Sequence, residues 1–272
     1  FGAWVQHGSL QQGARISAVQ GLESAIGRRL DIVNTYRRFD EPFPTQSDRA
    51  FAAGGRTLML SWVVDDTRQV ASGAVDAQLR DWADRMRDFD HPMLVRLRWE
   101  MDRPNLRASM HSGADYVAAW THVREVFAAR GVRDVSWVWC PTADGFAGGY
   151  AQGFYPGDDQ VDWVCVDAYA GSRLTPMADL LAPFLAWAGT HGKPIMIGEY
   201  GVGVGWGGSA RAAWLAATAQ TFRGYPLIKA VCYFDSDPDG NPPTKQYHLE
   251  GDPPALAAFT AMARDPWFRT RS

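Results

Sequence analysis

Short apolar, β-branched runs alternate with longer helix-like stretches along the whole chain, and no other feature constrains the fold as much. Predicted strands lie at Gly2–Val5, Asp31–Tyr36, Thr57–Trp62, Met93–Trp99, Val135–Cys140, Trp163–Tyr169, Pro194–Glu199 and Ile228–Phe234. Predicted helices fall between them at Ile16–Gly27, Asp76–Asp88, Gly113–Arg130, Met177–His191, Ser209–Arg223 and Pro254–Ala263. Within Gly113–Arg130, Tyr116, Trp120, Val123 and Phe127 recur at spacings of three and four, which makes one apolar stripe, and Gly131 supplies the stop.

Strands that are apolar on nearly every residue are buried on both faces, as a parallel sheet covered by helices requires. Eight β–α units in 272 residues point to a closed (β/α)8 TIM barrel, which needs about 250 residues, and the whole of 1–272 is read as one such α/β domain. An open doubly wound sheet is the runner-up, but it needs a glycine-rich phosphate turn after the first strand, and Val5–Leu10 has none. Gly201–Gly208 is glycine-rich and is read as a flexible loop at the barrel mouth.

Bulk properties narrow the function classes. Net charge is −3 with both signs mixed along the chain, so a nucleic-acid or polybasic membrane surface is not indicated. No apolar run approaches the roughly 18 residues of a membrane span. The 12 Trp residues exceed what core packing ordinarily uses and fit a protein that stacks sugar rings on indole faces. Cys140, Cys165 and Cys232 sit inside apolar strand-like runs without metal-binding spacing, so buried free thiols are expected, with one disulfide at most. The chain begins at Phe1 without a leader sequence, and a trimmed, secreted or cell-surface monomer is the expectation.

Catalytic groups of such barrels sit at the C-terminal ends of strands. Glu100 follows MLVRLRW on the fourth strand, and Glu199 follows PIMIG on the seventh. A charge directly after an apolar run is costly unless it has a task or a partner. Pairing with Arg96 or Arg98 is the competing account for either Glu alone, and it explains two such carboxylates poorly. Strands four and seven face each other across a barrel mouth, so the pair fits a retaining glycosidase, whose carboxyl groups stand about 5–5.5 Å apart. One must then stay protonated, its pKa raised above the usual 4.3 or so by its neighbour's charge and by the apolar wall of Trp99. Arg96 and Trp99 are candidate substrate-binding residues, with Trp62, Trp139 and Trp206 as stacking platforms. Tyr169 is a candidate hydrogen-bond donor to the nucleophile, and Asp235 a candidate grip on a hydroxyl. The six His residues form no HxH or HExxH arrangement, so no metal or cofactor is expected. Ser61 and Ser136 lack a nucleophile-elbow sequence.

The chain resembles glycoside hydrolase family 26, a clan A family of barrel enzymes. Four segments carry the likeness: VRLRWEMD around Glu100, VSWVWCP with Trp137 and Trp139, YPGDDQVDWVCVDAY from Tyr155 to Tyr169, and KPIMIGEYG around Glu199. The resemblance implies an endo-β-1,4-mannanase or an enzyme of related β-glucans or xylan, with Glu100 as acid/base, Glu199 as nucleophile and Tyr169 supporting it. Two departures stand out. The family's His before the acid/base is Trp99 here, and Asp102-Arg103-Pro104-Asn105 replaces the usual Met-Asn-Gly and tryptophan-rich loop. The indole is expected to reshape the subsite next to the cleavage point while sparing the reaction class. A non-catalytic carbohydrate-binding barrel, or an exo-enzyme or transglycosylase on another cell-wall glycan, are the alternatives at this level.

Overall fold

The computed structural model describes residues 1–64, 66–237 and 241–269. Its strands are β1 (Gly2–Val5), β2 (Ile32–Arg38), β3 (Thr57–Val63), β4 (Met93–Leu97), β5 (Val135–Trp139), β6 (Trp163–Ala170), β7 (Ile195–Val202) and β8 (Ile228–Asp235). They pair in parallel in chain order, and β1 pairs with β8 to close the barrel. The helices are α1 (Gln12–Ile26), α2 (Gln46–Ala53), α3 (Thr67–Ala71), α4 (Asp76–Phe89), α5 (Arg107–Met110), α6 (Gly113–Ala129), α7 (Ala143–Ala147), α8 (Met177–Ala188), α9 (Gly208–Gly224) and α10 (Pro253–Arg264). Among the described residues no helix is long and apolar enough to cross a membrane.

Side-chain alternation along each strand divides the core into two layers. Ile32, Met59, Leu94, Val138, Cys165, Met196 and Cys232 point inward and fill the barrel with a packed interior. Leu58, Leu60, Val95, Leu97, Val164 and Val166 point outward and meet the helices. In α6, Tyr116, Trp120, Val123 and Phe127 form the buried face, each contributing about 1.5–3 kcal/mol by burial. Ser112 caps its start by accepting the Asp115 backbone N–H at 3.1 Å, and Gly131 follows it at φ 74°.

One helix is added and two expectations are corrected. Helix α2 carries too little apolar pattern to be read from sequence. It is set instead by Thr45 and Asp48, which cap each other's backbone N–H groups, and by the buried Arg37–Asp48 ion pair at 2.8 Å. Much of Gly201–Gly208 is regular: β7 runs to Val202, a 3-10 turn covers Val204–Trp206, and α9 starts at Gly208. Cys140 and Cys165 are joined as a disulfide, and Cys232 alone is free, its thiol pushed up to about 12 by burial. The register explains the bond. Trp139 pairs with Val164, which sets the next residues, Cys140 and Cys165, side by side inside the barrel.

Candidate active site

The inward face of the barrel changes character near its C-terminal end. Above the apolar layer, Asn34 on β2, Ser61 on β3, Arg96 on β4 and Asp167 on β6 are buried polar groups, joined in one chain of hydrogen bonds. Asn34 Oδ1 accepts from Ser61 Oγ at 2.7 Å, and Ser61 Oγ accepts from Arg96 Nε at 2.8 Å. Arg96 Nη1 donates to both Asp167 oxygens at 2.9 and 3.0 Å, while Nη2 donates to Glu199 Oε1. Burial alone pulls the Arg96 guanidinium pKa down, but Asp167 and Glu199 outweigh it and hold the pKa well above the usual range. Arg96 is therefore a fixed, wholly buried cation under the mouth of the barrel.

Glu199 sits on β7, 5% exposed. Its Oε1 also accepts Tyr36 Oη at 2.6 Å, and its Oε2 accepts Tyr169 Oη at 2.5 Å. Three donors from three strands thus orient one carboxylate. Gly198 is required beneath it: a Cβ there would lie 2.7 Å from Arg96 Nη1 and 2.7 Å from Asp167 Oδ1.

Strand β4 stops at Leu97, and the chain turns across the mouth through two left-handed residues, Arg98 (φ 48°) and Glu100 (φ 52°). Such conformations cost non-glycine residues about 1–3 kcal/mol each and persist only where the surroundings impose them. Here the Arg98 backbone N–H is held by the Trp62 carbonyl and that of Glu100 by the Cys140 carbonyl, both at 2.7 Å. Asp102 pins the same turn by accepting the Thr142 hydroxyl at 2.7 Å. Glu100 is thereby presented over the mouth, and one oxygen each of Glu100, Asp167 and Glu199 lie within 4.8 Å of one another. Burial, and then the Glu199 charge, raise Glu100 from 4.5 to about 7 against the opposing pull of Arg103, whose Nη1 donates to Glu100 Oε2 at 2.7 Å.

Aromatic rings wall this centre. Trp99 packs on Tyr36 with ring centroids 4.8 Å apart and lies 5.6 Å from the Arg96 guanidinium. Phe234, the inward residue at the end of β8, contacts both Tyr36 and Tyr169, and Tyr247 packs on Tyr169 at 4.7 Å. Trp206 stands 36% exposed near the end of β7, its indole N–H donating to the Gly171 carbonyl at 2.8 Å.

Glu100, Glu199, Arg96, Trp99 and Tyr169 are therefore brought together, whereas three candidates are not. Trp62 and Trp139 are wholly buried on the outer face of the barrel, Trp62 among Phe39, Trp82 and Phe127, and Trp139 among Phe146, Tyr155 and Trp187. Neither is open to a sugar ring. Asp235 also turns outward, in phase with Tyr233, and accepts the Leu249 backbone N–H at 2.9 Å; burial pushes it up to about 6. Tyr36, Asp167, Arg103, Phe234 and Tyr247 join the site without having been singled out from sequence. Tyr36 and Asp167 carried the same signals as Tyr169 and Glu199: a tyrosine at a strand end, and a carboxylate within an apolar run.

The sequence matches the profile of glycosyl hydrolase family 26 over residues 2–190. It is 25% identical to Endoglucanase H of Acetivibrio thermocellus over 95% of this chain and 30% of that protein. It is 31% identical to a β-1,3-xylanase of a Vibrio species over 49% of this chain and 28% of that one. The chain thus spans about 30% of the length of these curated relatives. A family 26 β-mannanase from Bacteroides ovatus shares the fold, with a TM-score of 0.68 and 19% identity, over 90% of this chain and 82% of its own. A modular endo-β-1,4-mannanase from Cellulomonas fimi does so with the same score and identity, over 90% and 66%.

Proposed function

Because the chain belongs to glycosyl hydrolase family 26, we propose that it is a retaining endo-β-glycanase, with Glu199 as nucleophile and Glu100 as acid/base. The observation that carries this reading is the carboxylate spacing. Oxygens of the two residues approach within 4.8 Å, which fits the about 5–5.5 Å carboxyl separation of retaining enzymes.

The chemistry follows from the surroundings of each group. Glu199, oriented by Tyr36, Tyr169 and Arg96, attacks the anomeric carbon as the glycosidic bond breaks. Glu100, raised to about 7, holds a proton at neutral pH and passes it to the departing oxygen. Now a carboxylate, it takes a proton from the water that displaces the sugar from Glu199, and both groups return to their starting forms. Asp167 touches no substrate; it shares Arg96 with Glu199 and holds that cation in place.

The substrate proposed is a β-1,4-mannan or a related β-glucan. Relatives bearing endoglucanase, xylanase and mannanase names support that range, and Trp99 and Trp206 offer indole faces at the mouth. A polymer too large to enter a cell places the proposed activity outside it. The test is mass-spectrometric product analysis on mannan, glucomannan, mixed-linkage glucan and xylan, with Glu199→Gln as control. Oligosaccharides released with retained anomeric configuration by the unaltered protein alone are expected. Inverted products, or an active Glu199→Gln form, would overturn the assignment.

A further inference from the structure

Beside the catalytic centre, over the C-terminal ends of β1 and β2, lies a cavity of about 430 Å³. Tyr36 belongs to both, lining the cavity and donating to Glu199 Oε1, and Trp99, packed on Tyr36, lines the cavity beside it. A glycan crossing the mouth from Glu199 therefore places a neighbouring sugar unit here.

The charge balance of this cavity is unusual. Arg15, Arg37, Arg38 and His7 line it, and Glu41 is the carboxylate on its wall among the described residues. Arg37 is spent on the buried Asp48, with bonds of 2.8 and 2.9 Å, and Arg38 pairs with Asp40 in solvent. Glu41 Oε2 accepts the Arg38 backbone N–H at 2.7 Å, and Glu41 forms no ion pair with Arg15. The Arg15 side chain makes no hydrogen bond or ion pair with any described residue, and its Nε is buried and unpartnered. Thr35, which like Val33 points from β2 towards the helices, lines the same cavity, and its Oγ1 is also buried without a partner among the described residues. Burial depresses both Arg15 and His7, and the Arg37 charge adds to it in each, while the Asp48 and Glu41 charges act on Arg15 in the opposite direction.

A half-buried guanidinium that is unpaired among the described residues, with the unpaired Thr35 hydroxyl on the same cavity, calls for an anionic acceptor; a neutral sugar leaves the charge uncompensated. We propose that this cavity is a subsite for a sugar bearing an oxyanion substituent, a carboxylate or a sulfate ester, held by Arg15 with Thr35. The inference rests on the glycanase reading for its place along the substrate, and it extends that reading to an acidic or sulfated β-glycan.

The test pairs binding with turnover. In the Glu199→Gln background, calorimetry compares neutral, carboxymethylated and sulfated gluco- and mannooligosaccharides of equal length, with and without Arg15→Met, which keeps the aliphatic stem. At least tenfold tighter binding of one charged series is expected, weakening with salt and vanishing in Arg15→Met, and the preferred series tells carboxylate from sulfate. Equal affinity for neutral and charged ligands, or a preference that survives Arg15→Met, overturns the inference. The unaltered enzyme is assayed on neutral glycan in parallel. Hydrolysis there, together with equal affinity for neutral and charged ligands in the binding arm, sinks the subsite and leaves the glycanase. Absent hydrolysis of every glycan by the unaltered enzyme sinks the glycanase, and the subsite then stands or falls on the binding arm alone.

Discussion

Replacing Glu199 with Gln isolates one contribution to the pKa of Glu100. The raised value of about 7 has burial as its first cause and the Glu199 charge as its second. Oxygens of the two residues lie within 4.8 Å, so their repulsion is worth about 1 kcal/mol in a water-like medium and about 3.5 kcal/mol at an effective dielectric near 20. Those limits correspond to about 0.6 and 2.5 pH units. Arg96 neutralises part of the Glu199 charge, which places the expected drop near the lower limit, at about one unit. Once Glu199 is neutral, Arg96 is less fully compensated and pulls Glu100 the same way. Titration of ¹³C-carboxyl-labelled protein, with the Glu100 resonance assigned by its loss in Glu100→Gln, reads the value directly. Glu100 is expected to titrate near 6 in Glu199→Gln, still above the ordinary 4.5 because burial persists. A value that moves by less than about 0.3 pH unit would refute the charge coupling and with it the division of labour between the two carboxylates.

Other substitutions test the remaining supports. Arg103→Met removes the cation that opposes the Glu100 shift, so the alkaline limb of kcat/KM moves up from about 7. Arg103 is half exposed, which holds the move to a few tenths of a unit, and a downward move contradicts the acid/base assignment. Gly198→Ala drives a methyl against Arg96 and Asp167, each 2.7 Å away; a loss of about 1–3 kcal/mol is expected with a larger fall in kcat/KM, read by thermal melts and initial rates. Glu100→Gln tests linkage. Because the folded pKa is raised from 4.5 to about 7, the native protein loses stability as pH rises through that window, by up to about 3 kcal/mol. The variant escapes that loss, so its Tm exceeds the native value at pH 8 and the gap closes by pH 4; a gap that is the same at both pH values refutes the buried-carboxyl argument.

The alternation of apolar runs and helical stripes pointed to a parallel sheet covered on both faces, and the lack of a glycine-rich turn after the first strand favoured the closed barrel over an open sheet, as the structure has it. Glu100, Glu199, Arg96 and Tyr169 were legible for a related reason: a charged or hydroxylated side chain at the end of an apolar strand is too costly to lack a purpose. The phase of each strand was not legible. Where every residue of a run is apolar, sequence cannot say which half faces the barrel interior, and so Trp62 and Trp139, strand-end tryptophans, were read as sugar platforms although both face the helices. Asp235 was misplaced in the same way, by one residue of alternation. Register between strands is a property of the closed sheet, and it alone sets Cys140 beside Cys165. Closure likewise brings Tyr36 from β2 onto a carboxylate 163 residues away in the chain and turns Glu100 back over the mouth in a left-handed bend. Arg15 belongs to this second group, because only the folded chain shows that its guanidinium has no partner among the described residues.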